Sequence, residues 1–200
     1  MSADQHDQLI RQALEASART KQDMVAACTE ELKTAARWIA EAMNQGHTLF
    51  LCGNGGSAAD CQHLATEFVV RLTSQSQRKA LPAIALTTDT STLTAASNDF
   101  GFGKVFSRQI EALGRPGDIL IAISTSGRSP NVLEAARAAR SHGLKVIAFL
   151  GQQKRELGEL ADLSLCIPSD DSQRVQEGHI TAGHSLVALV EIMLEEHDPL

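Results

Sequence analysis

The feature that most constrains the fold is a short apolar run at residues 48–52 that breaks into glycines and leads into an alanine-rich segment. This pattern is typical of a buried strand, a tight turn and the start of a helix. It recurs at residues 118–123, where the apolar run leads into hydroxyl side chains instead of glycines. Free backbone N–H groups and the helix dipole attract anions to a helix N-terminus. Together the two units predict a crevice that binds a small phosphorylated ligand.

Short apolar runs alternate with segments of helical periodicity along most of the chain. The predicted strands lie at 48–52, 82–87, 118–123, 145–150 and 163–167. The predicted helices lie near 5–20, 24–43, 57–72, 89–97, 102–113, 129–142, 153–161 and 172–196. Alternating strands and helices form parallel sheets through right-handed crossovers. We therefore expect one α/β domain over residues 1–200, an αβα sandwich with a five-stranded parallel sheet and an N-terminal helical segment at 1–46.

Charge and composition limit the kinds of partner that the protein is expected to bind. The net charge is −6 and no run of Lys or Arg stands out, which argues against nucleic-acid binding. No apolar run approaches the roughly 20 residues of a membrane span, and the first residues lack the basic and apolar regions of a signal peptide. The four cysteines are scattered without a CxxC pair, so they are expected to be buried free thiols. We expect a cytoplasmic protein that binds neither nucleic acid nor a membrane.

The glycine turn permits more than one interpretation. Gly53, Gly55 and Ala58 satisfy the dinucleotide fingerprint, but a Rossmann site also needs an acidic residue about 20 residues further on. The second predicted strand instead ends at Thr87-Thr88-Asp89, much further along the chain, and no P-loop motif is present. A nucleotide is therefore poorly supported, and a tight turn without any ligand stays an alternative.

The second turn is richer in hydrogen-bonding groups. Four hydroxyls fall within six residues, on Ser124, Thr125, Ser126 and Ser129. Together with backbone N–H groups they can satisfy the oxygens of a phosphate monoester. Ser129 followed by Pro130 also has the form of an N-cap and an N1 proline. Serines that serve only as caps are the alternative.

His63 and Glu67 stand four residues apart on the helix predicted after the glycine turn. Residues at this spacing share one helix face, about 6 Å apart along the axis, which suits either a metal site or joint proton transfer. Two further histidines, His179 and His184, occur near the C-terminus. Isolated histidines are more often surface or core residues than catalysts, so the spacing alone leaves their role open.

Five segments of the chain are distinctive when taken together: CGNGGSAADCQHLATEF, ALTTD, SNDFGFGKVFSRQ, GDILIAISTSGRSPNV and RVQEGHITAGH. With them the chain resembles the phosphoheptose isomerases, a family of SIS-domain (sugar isomerase) proteins, from about residue 24 to 196. This resemblance implies a flavodoxin-like αβα sandwich in a homotetramer. The implied reaction interconverts sedoheptulose 7-phosphate and D-glycero-D-manno-heptose 7-phosphate, the first step towards the heptose of bacterial lipopolysaccharide.

The resemblance also assigns roles to individual residues. The matching substrate-binding positions are Asn54, Gly55, Gly56, Glu67, Asn98, Asp99, Ser124, Thr125, Ser126, Ser129 and Gln176. The matching ligands of one zinc ion per subunit are His63, Glu67, Gln176 and His184. Glu67 and His184 also match the proposed acid/base pair. Thr66 departs from the acidic residue that some members carry there, but Glu67 itself is intact.

The residue chemistry is consistent with these roles. An aldose–ketose isomerisation needs a base at the substrate carbon, an acid at the oxygen and a group that stabilises negative charge. Glu67 is a plausible base and His184 a plausible acid. A zinc ion can polarise the carbonyl or hold the site together, and a zinc-bound Glu67 would be a weaker base. The two roles of Glu67 therefore compete.

Gln176 and His184 stand eight residues apart in one predicted helix. Eight residues rise about 12 Å, whereas two ligands of one zinc ion lie about 3–4 Å apart. A helix that begins after Gln176, or a π-bulge near Gly178 or Gly183, would bring them together within one chain. We expect instead that a neighbouring protomer supplies at least one of the two.

The main alternative function belongs to another class. A related SIS-domain protein that associates with the DnaA initiator is a tetrameric scaffold for replication initiation, and it resembles this chain almost as broadly. That family lacks the glutamate and the late histidine that match Glu67 and His184. Their presence favours the enzyme.

Overall fold

The computed structural model describes residues 3–197, and its centre is a parallel sheet with the strand order β2-β1-β3-β4-β5. The strands are β1 (Leu49–Cys52), β2 (Ala83–Ala85), β3 (Ile119–Ser124), β4 (Lys145–Leu150) and β5 (Leu163–Cys166). Each pairing is parallel, with Leu51 opposite Ala85 and Ile121. This order is the flavodoxin-like one. The predicted five-stranded α/β fold is confirmed.

Seven α-helices surround the sheet within the described residues. They are α1 (Ala3–Asn44), α2 (Gly56–Val69), α3 (Thr90–Phe100), α4 (Ser107–Leu113), α5 (Pro130–Ser141), α6 (Arg155–Leu160) and α7 (Ser172–His197). None of these helices has the length and apolar character needed to cross a membrane.

The N-terminal helical segment is one helix, and the prediction of two helices at 5–20 and 24–43 is wrong. Helix α1 continues through the interval between them because no Gly or Pro interrupts it there. Thr20 and Met24 are both buried, so the face that packs on the rest of the protein also continues across the predicted break.

The helix predicted over 102–113 is also divided. A 3₁₀ turn covers Phe102–Lys104 and α4 begins only at Ser107. Gly101 has a φ of 83°, and the N–H groups of Lys104 and Val105 bond three residues back. Glycines at 101 and 103 favour this tighter turn, because glycine is a poor helix former.

The sheet is covered on both faces, and side chains of each strand alternate between two cores. Leu49 and Leu51 of β1 pack with buried residues of α1, α2 and α7. Phe50 and Cys52 of the same strand pack with residues of α3, α4, α5 and α6. Because a strand has a period of two, one short apolar run can serve both layers. This explains why the strand sequences are apolar throughout.

Candidate active site

The candidate site lies at the carboxyl ends of β1 and β3. These neighbouring strands continue into α2 and α5, which pack on opposite faces of the sheet. The connections therefore diverge and leave a crevice between them. In open α/β sheets such a topological switch point is where ligands bind.

The glycine turn at this point is held by a side-chain pair. Gly55 precedes α2 with a φ of 55°, a conformation that a residue with a Cβ rarely adopts. The amides of Asn54 and Asn131 exchange two hydrogen bonds, each 2.8 Å long. Asn131 is 1% exposed and lies in the first turn of α5. It couples the two turns, but a single asparagine after Ser129-Pro130 has no distinctive pattern that would identify it from the sequence.

The hydroxyl side chains of the second turn converge. Ser124 Oγ lies 3.1 Å from Ser129 Oγ and 3.4 Å from Ser126 Oγ, and it accepts a hydrogen bond from the N–H of Gly127 at 3.1 Å. Ser129 is the N-cap of α5, yet its side chain makes no capping hydrogen bond. Ser129 therefore marks the start of α5 by its position, and its hydroxyl is not used for capping. The turn gathers the hydroxyls of Ser124, Ser126 and Ser129 around one point, an arrangement that suits an anion.

A cavity of about 260 Å³ adjoins this hydroxyl turn. Its lining includes Thr125, Ser126, Arg128 and Arg155. Arg155 is the one non-glycine residue in the described chain with a positive φ, 49°. Neither arginine was singled out from the sequence. Both place positive charge beside the hydroxyls, with Glu156 lying 3.7 Å from Arg128 and Asp170 also lining the cavity.

His63, Glu67 and His184 form a compact cluster. Their ligand atoms all lie within 4.8 Å of one another. The Nε2 atoms of His63 and His184 are 2.8 Å apart, and His63 Nε2 is 3.5 Å from Glu67 Oε1. Helix α2 supplies His63 and Glu67 from one face, as their spacing predicts, and α7 packs alongside it.

Close approach of α7 to α2 depends on a small residue. A Cβ on Gly183 would come within 2.5 Å of the Leu64 side chain. Glycine therefore lets α7 approach α2 directly beside His63 and His184. A larger side chain at position 183 would separate the two histidines.

The cluster fits a zinc ion. Zinc bonds of about 2.0–2.2 Å place neighbouring ligands of a tetrahedral ion about 3–4 Å apart. The separations of 2.8 and 3.5 Å in the cluster are close to this range. Two imidazoles and one carboxylate also form a known catalytic zinc set, in which the fourth position stays open.

Gln176 lies elsewhere in the same chain. Helix α7 is continuous from Ser172 to His197, so neither the late helix start nor the π-bulge considered above is present. Gln176 therefore stands about 12 Å along the axis from His184. Its carboxamide packs against Gly56, where an added Cβ would lie 3.1 Å from it. Because Gly56 has no side chain, it leaves room for the Gln176 carboxamide.

Asn98 and Asp99 lie on α3, the helix that follows β2 in the chain. Both side chains are exposed, and Asn98 Nδ2 donates a hydrogen bond of 2.8 Å to Asp99 Oδ1. No contact recorded for either side chain joins it to the histidine cluster or to the hydroxyl turn in the described part of the chain. Their role in substrate binding stays a prediction.

Two titratable groups on α7 and α2, the helices that carry the cluster, have shifted pKa values. Burial lowers the pKa of His179 to about 4, although the Leu150 carbonyl, 3.0 Å from its Nε2, opposes the shift. His179 is therefore neutral at pH 7. Burial raises the pKa of Asp60 to about 6, and His63 opposes that shift.

Residues 14–151 match the SIS domain family. The chain therefore belongs to the SIS-domain proteins, the class that the flavodoxin-like sheet and the hydroxyl turn suggest. Within that class it belongs to the phosphoheptose isomerases.

Similar proteins and solved structures support the assignment to the phosphoheptose isomerase family. The chain is 49% identical to the phosphoheptose isomerase of Chlorobaculum parvum, over 94% of this chain and 91% of that protein. It is also 49% identical to the phosphoheptose isomerase of Roseiflexus, over 92% of each chain. The solved phosphoheptose isomerase of Neisseria gonorrhoeae matches with a TM-score of 0.87 at 38% identity, covering 93% of this chain and 98% of that one. The solved phosphoheptose isomerase of Francisella tularensis matches with a TM-score of 0.89 at 33% identity, covering 96% of this chain and 100% of that one.

Proposed function

We propose that this protein isomerises sedoheptulose 7-phosphate to D-glycero-D-manno-heptose 7-phosphate, the first step towards the heptose of bacterial lipopolysaccharide. The observation that carries the proposal is the cluster of His63, Glu67 and His184 on α2 and α7. The same chain carries the hydroxyl turn after β3, so it combines groups that move protons with groups that bind phosphate. Membership of the phosphoheptose isomerase family supports the same reaction.

The hydroxyl turn is proposed to bind the phosphate of the substrate. Ser124, Thr125, Ser126 and Ser129 supply the hydroxyls that bind it. Asn54, Gly55 and Gly56 border the crevice from β1, where the backbone can approach the sugar without a side chain in between. Binding at the phosphate orients the carbonyl end of the sugar towards the proton-transfer groups.

Glu67 and His184 are the proposed proton-transfer pair. In the ketose-to-aldose direction Glu67 removes a proton from C1 while His184 protonates the oxygen on C2, which gives an enediol. The proton then returns to C2 as the C1 hydroxyl loses its own proton and becomes the aldehyde. The base and the acid belong to different helices, so the two sides of the substrate can be reached at once.

His63, Glu67 and His184 are also proposed to hold one zinc ion per subunit, with Gln176 of a neighbouring protomer as a further donor. When bound, the ion supplies Lewis-acid polarisation of the substrate carbonyl. This proposal needs an oligomer, and we propose a homotetramer of single SIS domains, each formed by residues 1–200. The free cysteines and the phosphorylated substrate suit a reducing, cytoplasmic location.

The DnaA-associating scaffold is not favoured. The relatives and the two solved structures named above are phosphoheptose isomerases. A purely structural role also does not explain why the imidazoles of His63 and His184 and the carboxylate of Glu67 lie together at a partly exposed site.

The direct test is incubation with sedoheptulose 7-phosphate, followed by NMR for the aldose. We expect the aldose 7-phosphate to accumulate to equilibrium, with the dialysed apo-protein less active than the zinc-loaded protein. Absence of product at every zinc concentration, combined with capture of an initiator protein, would contradict the proposal.

A further inference from the structure

Arg78 and Glu191 form a buried ion pair next to the histidine cluster. Arg78 lies in the loop between α2 and β2, and Glu191 lies on α7. Arg78 Nε donates to Glu191 Oε1 at 2.7 Å, and the two side chains are 6% and 10% exposed. A buried pair of this kind is usually retained for what it holds in place, because burying charge is costly.

The same guanidinium also reaches the backbone of Glu67. Arg78 Nη2 donates a hydrogen bond to the Glu67 carbonyl oxygen at 2.7 Å. Helix α2 ends at Val69, so this carbonyl is one of the last four that lack a partner within the helix. A cation there also interacts favourably with the helix dipole.

Glu191 makes a second connection. Its Oε1 also accepts a hydrogen bond from the Leu72 N–H at 3.3 Å. It stands seven residues after His184, two helical turns further along the same face of α7. The ion pair therefore joins the end of α2, the following loop and the face of α7 that carries His184.

This connection matters because Glu67 lies in the last turn of α2. The ends of helices open more easily than their middles, and a base displaced by about 1 Å can lose about 10²-fold in rate. We infer that Arg78 and Glu191 are positioning residues that hold Glu67 at its distance from His63 and His184. The inference rests on the proposed function.

Two substitutions separate positioning from simple stabilisation. Arg78→Lys keeps a charge opposite Glu191 but lacks the planar fork that reaches both Glu191 and the Glu67 carbonyl. Its unfolding midpoint should stay close to that of the wild type, while kcat falls about tenfold and KM changes less than about threefold. Arg78→Met should lower kcat by about 10²-fold.

Arg140→Met is the matched control. Arg140 also donates to the carbonyl of a last helical residue, Leu160, at 2.9 Å and lies near an acidic partner, Asp162, at 3.5 Å. It contacts neither α2 nor α7 through these bonds. Arg140→Met should therefore leave kcat unchanged even if the unfolding midpoint falls.

Zinc affinity, measured by competition with a chromophoric chelator, is a readout that needs no turnover. Arg78→Lys and Glu191→Gln should each weaken it about tenfold, because the ligand spacing depends on the pair. If Arg78→Met does not fold, these two variants still test the inference. Wild-type kcat and zinc affinity in both would overturn it. An inactive wild type whose zinc affinity falls in these variants would contradict the proposed function and leave the positioning role intact.

Discussion

The Nε2 atoms of His63 and His184 lie 2.8 Å apart although 121 residues separate them in the chain. The two rings meet edge to face, with centroids 5.0 Å apart and planes at 63°. At this distance the two nitrogens can share one proton in a hydrogen bond. Alternatively, both can bind one metal ion in place of that proton.

Glu67→Gln should retain the fold but lose isomerisation. The amide is isosteric, so packing at the end of α2 is preserved, but it cannot accept the substrate proton. We expect kcat to fall by about 10²-fold or more. Glu111→Gln, an exposed substitution on α4, is the matched control and should keep full activity. Turnover close to wild type in a correctly assembled Glu67→Gln variant would refute the assignment of the base.

Removing two hydroxyls from the turn should selectively weaken the binding of the phosphorylated sugar. The double variant Thr125→Val and Ser129→Ala is nearly isosteric and leaves the bond between Ser124 and the Gly127 N–H in place. We expect a loss of about 2–4 kcal/mol in binding of the phosphorylated sugar, since hydrogen bonds to charged groups are involved. Isothermal titration with phosphorylated and unphosphorylated heptulose measures it, with Ser141→Ala at the far end of α5 as control. An equal loss for both sugars would show that the turn does not bind the phosphate.

Mixed oligomers should reveal which residues of the site come from different protomers. His63, Glu67 and His184 cluster within one chain, whereas Gln176 of that chain packs against Gly56. Co-refolded Glu67→Gln and Gln176→Ala chains should therefore regain activity, because an intact site can form between them. Co-refolded Glu67→Gln and His184→Ala chains should stay inactive. If the first mixture assembles yet remains inactive, Gln176 acts within its own chain or not at all.

Acidification should destabilise the protein through His179. Its pKa in the folded state, about 4, lies below the unfolded value of 6.5. The unfolded state then binds more protons between these values, so stability is full above pH 6.5 and falls as the pH drops towards 4. At pH 5 the loss from this group should be about 2 kcal/mol.

Denaturant unfolding at pH 7.5 and pH 5 measures that loss. His179→Gln keeps a donor for the Leu150 carbonyl but cannot titrate, so its stability should depend less on pH. His6→Gln, at an exposed position, should retain the full dependence. Equal pH dependence in wild type and His179→Gln would contradict the burial argument.

Much of the fold is predictable from local patterns. The apolar runs at 48–52, 118–123 and 145–150 predict buried parallel strands because both faces of such a strand are covered. The errors fall where local signals are weak. Continuity of α1 through Thr20 depends on burial against the rest of the protein, and the 3₁₀ turn at Phe102–Lys104 depends on glycine conformation.

Local patterns are enough to identify the candidate site residues: His63 and Glu67 share a helix face through their spacing, and the serines share one turn. The contacts that join these groups depend on the tertiary structure. The pairing of His63 with His184, of Asn54 with Asn131 and of Arg78 with Glu191 each links distant segments. Such contacts follow from strand order and from the close packing of α7 on α2 at Gly183, which no local pattern encodes. Local periodicity reports only neighbours along the chain, whereas the site depends on neighbours across the packed layers.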